Sequence, residues 1–217
     1  MISKKVRILF ATKNSGKLLE FRKAFDKLHS NYEVISFNEL SYDVPDCEET
    51  GTTFEENALL KVENARHYLR GVDKSMIVVG DDSGMEIRHL NGKPGIFTRR
   101  WNGSEMSDEE IIDYGLDKMK GADDRSASYV SCLIVSTPDG NNEVIVGKNQ
   151  GIILEQPRPS STLKGMPFRS LFYVLELDLM FHEVRDLPQV ERGGYTGGHE
   201  GEDQQIINYL DKRRLQR

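Results

Sequence analysis

Residues 77–84 read IVVGDDSG, an apolar run meeting two adjacent carboxylates, Asp81 and Asp82, and then Ser83 and Gly84. Asp, Ser and Gly are common turn residues, so a solvated turn is one explanation. Carboxylates at a strand end also lie over the crevice in which open α/β sheets bind ligands, where they can hold a metal or accept a proton. A second segment, ATKNSGK (11–17), joins an apolar strand to a helix. Such a junction aims free backbone N–H groups and the positive end of a helix dipole at the loop, which suits an anion. Lys17 adds a full charge there, and Thr12 and Asn14 add side-chain donors. The glycine spacing is not that of a Walker loop, and no Ser or Thr follows the lysine. In a third segment, EETGTTFEENALLK (48–61), Asn57 and Lys61 are four residues apart and share one helical face. Glu48 and Glu49 lie just ahead of that helix. Beyond GDDSG, the stretch GMEIRHLNGKPGIFTRRW (84–101) adds Arg99, Arg100 and Trp101 after a tight Gly92–Gly95 connection. Carboxylates Glu48, Asp81 and Asp82 beside cations Lys17, Lys61, Arg99 and Arg100 form an inventory suited to a phosphate chain with a divalent metal.

The elements that must position these residues follow from hydrophobic periodicity. Lys5–Ala11 reads as a buried strand, and Ser15–Leu28 as a helix with Leu18, Phe21, Ala24, Phe25 and Leu28 inward. Tyr32–Phe37 is a second strand, followed by a polar loop, Asp43–Gly51. Thr53–Leu69 is a helix opened by a Thr53/Glu56 capping box, with Phe54, Ala58, Val62 and Ala65 buried. The strand Met76–Gly80 then runs up to the paired aspartates. A helix over 107–119 carries a second box, Ser107 and Glu110. Ser126–Ser136 and Glu143–Val146 are strands joined by the hairpin signal TPDGNN, and Gly151–Leu154 is a further strand. RGGYTGGHEG (192–201) reads as a loop and Glu202–Leu215 as the last helix. Strands alternate with helices early and pair as a hairpin later, which predicts one mixed α/β domain over residues 1–217, with two lobes.

Composition narrows the partners. With a net charge of −6 and 29% charged residues, a nucleic-acid polymer is not expected as the main partner. Lys212, Arg213 and Arg214 read as a solvated helix end. Cys47 and Cys132 give no disulfide framework, and the five histidines show no metal-pairing spacing. The opening MISKKVRILFAT is too short in its apolar core for a signal peptide, and no stretch reaches the length of a membrane span. A cytoplasmic protein is expected.

Taken in order, ATKNSGKLLEF, EETGTTFEENALLK and DDSGMEIRHLNGKPGIFTRRW resemble the ITPase family, the pyrophosphatases of non-standard purine nucleoside triphosphates. That family carries A-T-x-N-x-x-K, then T-F-x-E-N-A-x-x-K, then D-D-S-G-L with a following G-x-P-G. The match is close over the first half of the chain and partial beyond it. The resemblance implies a two-lobed mixed sheet flanked by helices with the site in the cleft between the lobes, and a homodimer. It implies Mg²⁺-dependent hydrolysis of a nucleoside triphosphate to the monophosphate and pyrophosphate. Carried over residue by residue, Thr12, Asn14, Lys17, Lys61 and Arg100 bind phosphates, Glu48 and Asp82 hold Mg²⁺, and Ser83 contacts substrate. Asp82 is the general base and Asp81 a supporting acid. Adjacent carboxylates are expected to raise each other's pKa until a cation arrives.

The base-binding half departs from the family, which has G-F-G-Y-D-P-x-F and later S-H-R-G. Here GMPFRSLF (165–172) sets Phe168 at the family's Tyr and Arg169 at its Asp. GHEG (198–201) keeps His199 and has Glu200 where the family has Arg. One reading is erosion of the pocket, leaving a non-catalytic nucleotide-binding or regulatory protein. The other is a changed base. Arg169 can donate to a purine's N7 and O6, and Glu200 can accept from N1–H and a 2-amino group, which favours a guanine-type base. A phosphatase acting on a smaller ester would need no base pocket and would release orthophosphate. Trp101 and the cluster Phe168, Phe172 and Tyr173 could stack on a base, but aromatics at strand spacing are more often core.

Overall fold

The computed structural model describes residues 5–28, 31–159, 162–187, 191 and 199–215, with the side chains of 185, 199, 200, 214 and 215 left out. The chain divides into two compact units: Met1–Asp82, Cys132–Val146 and Glu202–Arg217 form the first, and Ser83–Ser131 with Gly147–Gly201 form the second. In the first unit, β1 (Val6–Phe10) lies between β2 (Tyr32–Ile35) and β3 (Ile77–Ile87) and is parallel to both. The sheet continues through β5 (Ser126–Ser136) and β6 (Asn142–Ile153), and these three longer strands contribute residues to both units. Side chains alternate across a strand, so each face of this sheet collects its own core. One face sets Ile8, Phe10, Ile77 and Val79 against Phe21 and Phe25 of α1 (Ser15–Leu28) and Ile206 and Leu210 of α5 (His199–Leu215). The other sets Leu9, Val78 and Ile134 against Ala58, Val62 and Ala65 of α2 (Phe54–Tyr68).

In the second unit β4 (Lys93–Gly95) pairs antiparallel with β3, and β7 (Phe172–Val174) pairs antiparallel with β6 and with β8 (Leu179–Met180). Parallel and antiparallel pairs together make the sheet mixed. Its core joins Met85, Ile87, Ile153 and Phe172 to Ile111 and Met119 around α3 (Asp108–Lys118). The short α4 (Phe181–Asp186) sets Phe181 against Phe172, ring centroids 5.4 Å apart.

The sequence expectation fails instructively at β3. The strand does not stop at the paired aspartates; they lie in its interior, and it runs on to Ile87 with Met85 and Ile87 at 1% and 0% exposure. Asp, Ser and Gly have low strand propensity, which hid the continuation, but pairing with β4 and core packing override that weak preference. The segments 143–146 and 151–154 are likewise one strand, β6. Helix α5 starts at His199, so 199–201 are helical where a loop was expected; 192–198 lie outside the described residues.

Both capping boxes form their first half. At α3, Ser107 Oγ accepts from the Glu110 N–H (3.2 Å) and Glu110 Oε2 from the Ser107 N–H (2.7 Å). At α2, Thr53 Oγ1 accepts from the Glu56 N–H (3.1 Å), but the Glu56 carboxylate takes the N–H and hydroxyl of Thr52 (2.6 and 2.8 Å) instead of closing on Thr53. Toward the C-terminal end of α2, Arg66 donates to the Met76 carbonyl (2.8 Å) and the Ser136 hydroxyl (3.2 Å), tying the helix to the sheet.

Gly80 sets how closely α2 approaches β3. A Cβ there would lie 2.3 Å from the Ala58 carbonyl oxygen and 2.8 Å from Val62 Cγ2. The first atom is backbone and cannot rotate away, so any side chain must push the helix outward. Gly80→Ala is expected to lower stability by roughly 1–3 kcal/mol, the usual cost of overpacking, measured as a lower urea midpoint.

Candidate active site

Consecutive strand residues point to opposite faces, so Asp81 and Asp82 do not face each other. Asp81, 2% exposed, lies on the α1 side with Lys17 Nζ 2.5 Å from its Oδ2. Asp82, 5% exposed, lies on the α2 side. There Lys61 Nζ donates to Asp82 Oδ1 (2.9 Å) and the Asp81 carbonyl (2.9 Å), and pairs with Glu49 Oε1 at 3.1 Å. An ammonium has three protons, and these three acceptors use them. Asn57 completes the arrangement, its Nδ2 donating to Asp82 Oδ2 at 3.3 Å.

Charge here is concentrated and shielded from water. Burial raises the Asp82 pKa above the ordinary aspartate value, and Glu49 adds to the rise, while Lys61 and Lys17 pull it back. The leading cause is therefore burial, ahead of any neighbouring carboxylate. Burial also works against the charge on Lys17, but Asp81, Asp82 and Glu49 outweigh it, and the ammonium is held above the ordinary lysine value.

The loop ahead of α1 is internally hydrogen-bonded. Thr12 Oγ1 accepts from the Asn14 N–H, and Asn14 Oδ1 caps the helix by accepting from the Lys17 N–H, both at 3.1 Å. Thr12, Asn14, Lys17, Lys61, Asp81 and Asp82 thus all belong to the first unit. Glu48 is exposed, and it is Glu49, one residue later, that reaches Lys61. Nothing in the sequence separates those two glutamates, because the turn of the loop decides which one faces inward. Among the described residues, no three His, Cys, Asp or Glu side chains gather in metal-ligand geometry.

The remaining candidates lie in the second unit. Ser83 Oγ accepts from the Tyr129 hydroxyl at 3.0 Å, a partner with no signal in the sequence. Arg100 is exposed on the turn Thr98–Arg100. Its neighbour Arg99 pairs with Asp108 Oδ1 (2.5 Å), and Asp108 Oδ2 accepts from the Gly165 N–H (2.7 Å), which ties the 165–170 segment to the start of α3. Phe168 is only 7% exposed and packs on Trp101, centroids 6.0 Å apart, so most of its ring serves the core. Arg169 is half-buried on the turn Pro167–Ser170. The side chains of His199 and Glu200 lie outside the described residues.

Residues 8–186 match the model of the Ham1 family. The chain belongs to the Ham1 family. It is 39% identical over 171 residues to the dITP/XTP pyrophosphatase of Staphylococcus aureus (strain MRSA252), covering 79% of this chain and 81% of that protein. The structure of the Staphylococcus aureus Ham1 protein superposes with a TM-score of 0.69 at 32% identity, over 95% of this chain and 99% of that one. A HAM1 protein from Coxiella burnetii gives 0.69 at 30% identity, over the same shares. The stretch matched to the Ham1 family takes in every first-unit candidate, from Thr12 to Asp82, and ends before His199 and Glu200.

The negative field at this Ham1-family site reaches Cys132, whose thiol is pushed up to about 12 by burial and by Glu55, Asp81, Asp82 and Glu202. Raised this far, the thiol stays protonated and unreactive near neutrality. Iodoacetamide at about pH 8 should modify the partly exposed Cys47 in the native protein and spare Cys132, with both labelled in urea. Peptide mass spectrometry reads the result.

Proposed function

We propose that the chain is a nucleoside triphosphate pyrophosphatase acting on a purine nucleotide, a reading supported by relatives named dITP/XTP pyrophosphatase. The observation that carries this reading is Asp82, buried in mid-strand with both carboxylate oxygens accepting, from Lys61 and Asn57, beside the Lys17–Asp81 pair. A carboxylate with its pKa raised by burial is a better general base than a solvated one. On this reading Asp82 takes a proton from water as the water oxygen bonds to the α-phosphorus. The α–β bridging oxygen then leaves with pyrophosphate. Lys17, Lys61 and the N-terminus of α1 neutralise the phosphate charge, with Thr12, Asn14 and Arg100 as further phosphate donors and Ser83 as a substrate contact.

The donor set fits a divalent cation. Asp82 and Glu49 offer hard oxygens to one shared positive charge, that of Lys61, as Mg²⁺ requires of its ligands. Glu49 and Asp82 are therefore the proposed ligands, with Glu49 in the place that the sequence suggested for Glu48. Bound Mg²⁺ supplies charge neutralisation at the phosphoryl oxygens.

For the base, Arg169 presents donors where the resembled family has an acid, and Glu200 an acceptor where it has a base. This pair favours a guanine-type base, with Phe168 and His199 as the further candidate contacts. A homodimer belongs to the same reading and is checked by light scattering.

The test is product analysis with Mg²⁺ across inosine, xanthosine and guanosine triphosphates and their deoxy forms. Pyrophosphate is expected as the product, and orthophosphate would point to an ester phosphatase instead. Asp82→Asn should lose on the order of a hundredfold or more in kcat; an active variant removes Asp82 as the base. Arg169→Asp should shift preference from guanine toward inosine nucleotides by about tenfold. A wild-type preference for inosine triphosphate sinks the guanine assignment.

A further inference from the structure

Asn57 is 1% exposed, and both ends of its amide are engaged. Its Oδ1 accepts from the Gly51 N–H at 2.9 Å, and its Nδ2 donates to Asp82 Oδ2 at 3.3 Å. The backbone donor fixes the amide's orientation, since a flipped amide would set donor against donor at Gly51 and acceptor against acceptor at Asp82. Gly51 comes close enough for this bond because it lacks a side chain; a Cβ there would lie 2.7 Å from Asn57 Oδ1 and from Glu56 Cβ. One helical turn further on, Lys61 holds Glu49 and Asp82 Oδ1. Residues 57 and 61 of α2 thus grip the same two partners, the 49–51 loop and Asp82, at different points. The two grips differ in kind. Lys61 is charged and is drawn toward any phosphate that arrives, whereas a neutral amide with both ends bonded has little to exchange.

We propose that Asn57 is the positioning residue that fixes the Glu49-bearing loop relative to Asp82, and so sets the spacing of the two carboxylates on which metal binding and turnover depend. The proposal rests on the pyrophosphatase reading above for its link to turnover, but not for its link to the loop. Partners that orient ligands in this way typically matter about 10–100-fold in metal affinity or activity.

The test uses the full chain, three single variants and one double variant. Asn57→Ala removes both hydrogen bonds; Asn57→Asp keeps an acceptor for Gly51 and turns an oxygen toward Asp82; Gly51→Ala drives the loop off Asn57. Three quantities are measured: Mn²⁺ affinity by calorimetry without nucleotide, amide exchange at Gly51, and kcat and KM for inosine triphosphate. Asn57→Ala should bind Mn²⁺ about tenfold more weakly, lose protection at Gly51, and lose at least about tenfold in kcat with KM little changed. Asn57→Asp should keep Gly51 protected while kcat still falls, which separates the two bonds. The Asn57→Ala/Gly51→Ala double variant should be no worse than the worse single one. Additive effects, wild-type Gly51 protection in Asn57→Ala, or wild-type kcat in Asn57→Asp each overturn the proposal. If the wild type releases no pyrophosphate, the proposed function fails, and Mn²⁺ affinity and amide exchange still decide the role of Asn57.

Discussion

A strand interior is a costly place for a carboxylate, and β3 holds two. Burying an ionised group without compensation costs several kcal/mol, so each aspartate must meet a positive charge or a set of donors. Lys17 meets Asp81 on one face of the sheet, and Lys61 with Asn57 meets Asp82 on the other. Much of the first unit can be traced to that requirement. Helix α1 must deliver Lys17 from its first turn, and α2 must lie near enough to β3 for Asn57 and Lys61 to reach. Gly80 allows that approach, because Ala58's carbonyl occupies the space a side chain would need. Arg66 holds the far end of α2 to the sheet.

The same requirement explains why the two acids can be neighbours in sequence. Strand alternation separates them, so repulsion within the pair is not what raises the Asp82 pKa; burial is the largest cause. Each carboxylate is instead compensated by its own lysine. On the proposed reading, compensation by lysines suits a site that accepts a triphosphate and a metal, because an ammonium can turn from its carboxylate to a phosphate oxygen.

The second unit organises a different question. Asp108 links Arg99 to the backbone at Gly165, and Trp101 packs on Phe168, so the 165–170 segment is braced on α3 before any substrate arrives. Gly115 leaves room for Trp101, whose ring carbon would lie 3.0 Å from a Cβ there. The brace draws Phe168 into the core and leaves Arg169 at the edge, half-buried. Selectivity for the base, on the proposed reading, then falls more to Arg169 than to stacking on Phe168.

From the sequence alone came the longer helices, the caps that open α2 and α3, and the residues that share a helical face, because these depend on spacing within one segment, whereas the short α4 was not expected. Thr12, Asn14, Lys17, Lys61, Asp81 and Asp82 were all legible on that basis, and the order of three motifs pointed to the family. Local propensity also misled, ending β3 at its aspartates, since DDSG looks like a turn; the strand runs through it to Met85 and Ile87, which pair with β4 and lie buried in the core. Only the tertiary structure chose Glu49 over Glu48, paired Tyr129 with Ser83, and gave Asn57 two partners, Gly51 in its own segment and Asp82 25 residues away. Contacts between distant segments follow from how a loop turns and how closely a helix lies on a strand. Those quantities are set by packing, which no single segment contains.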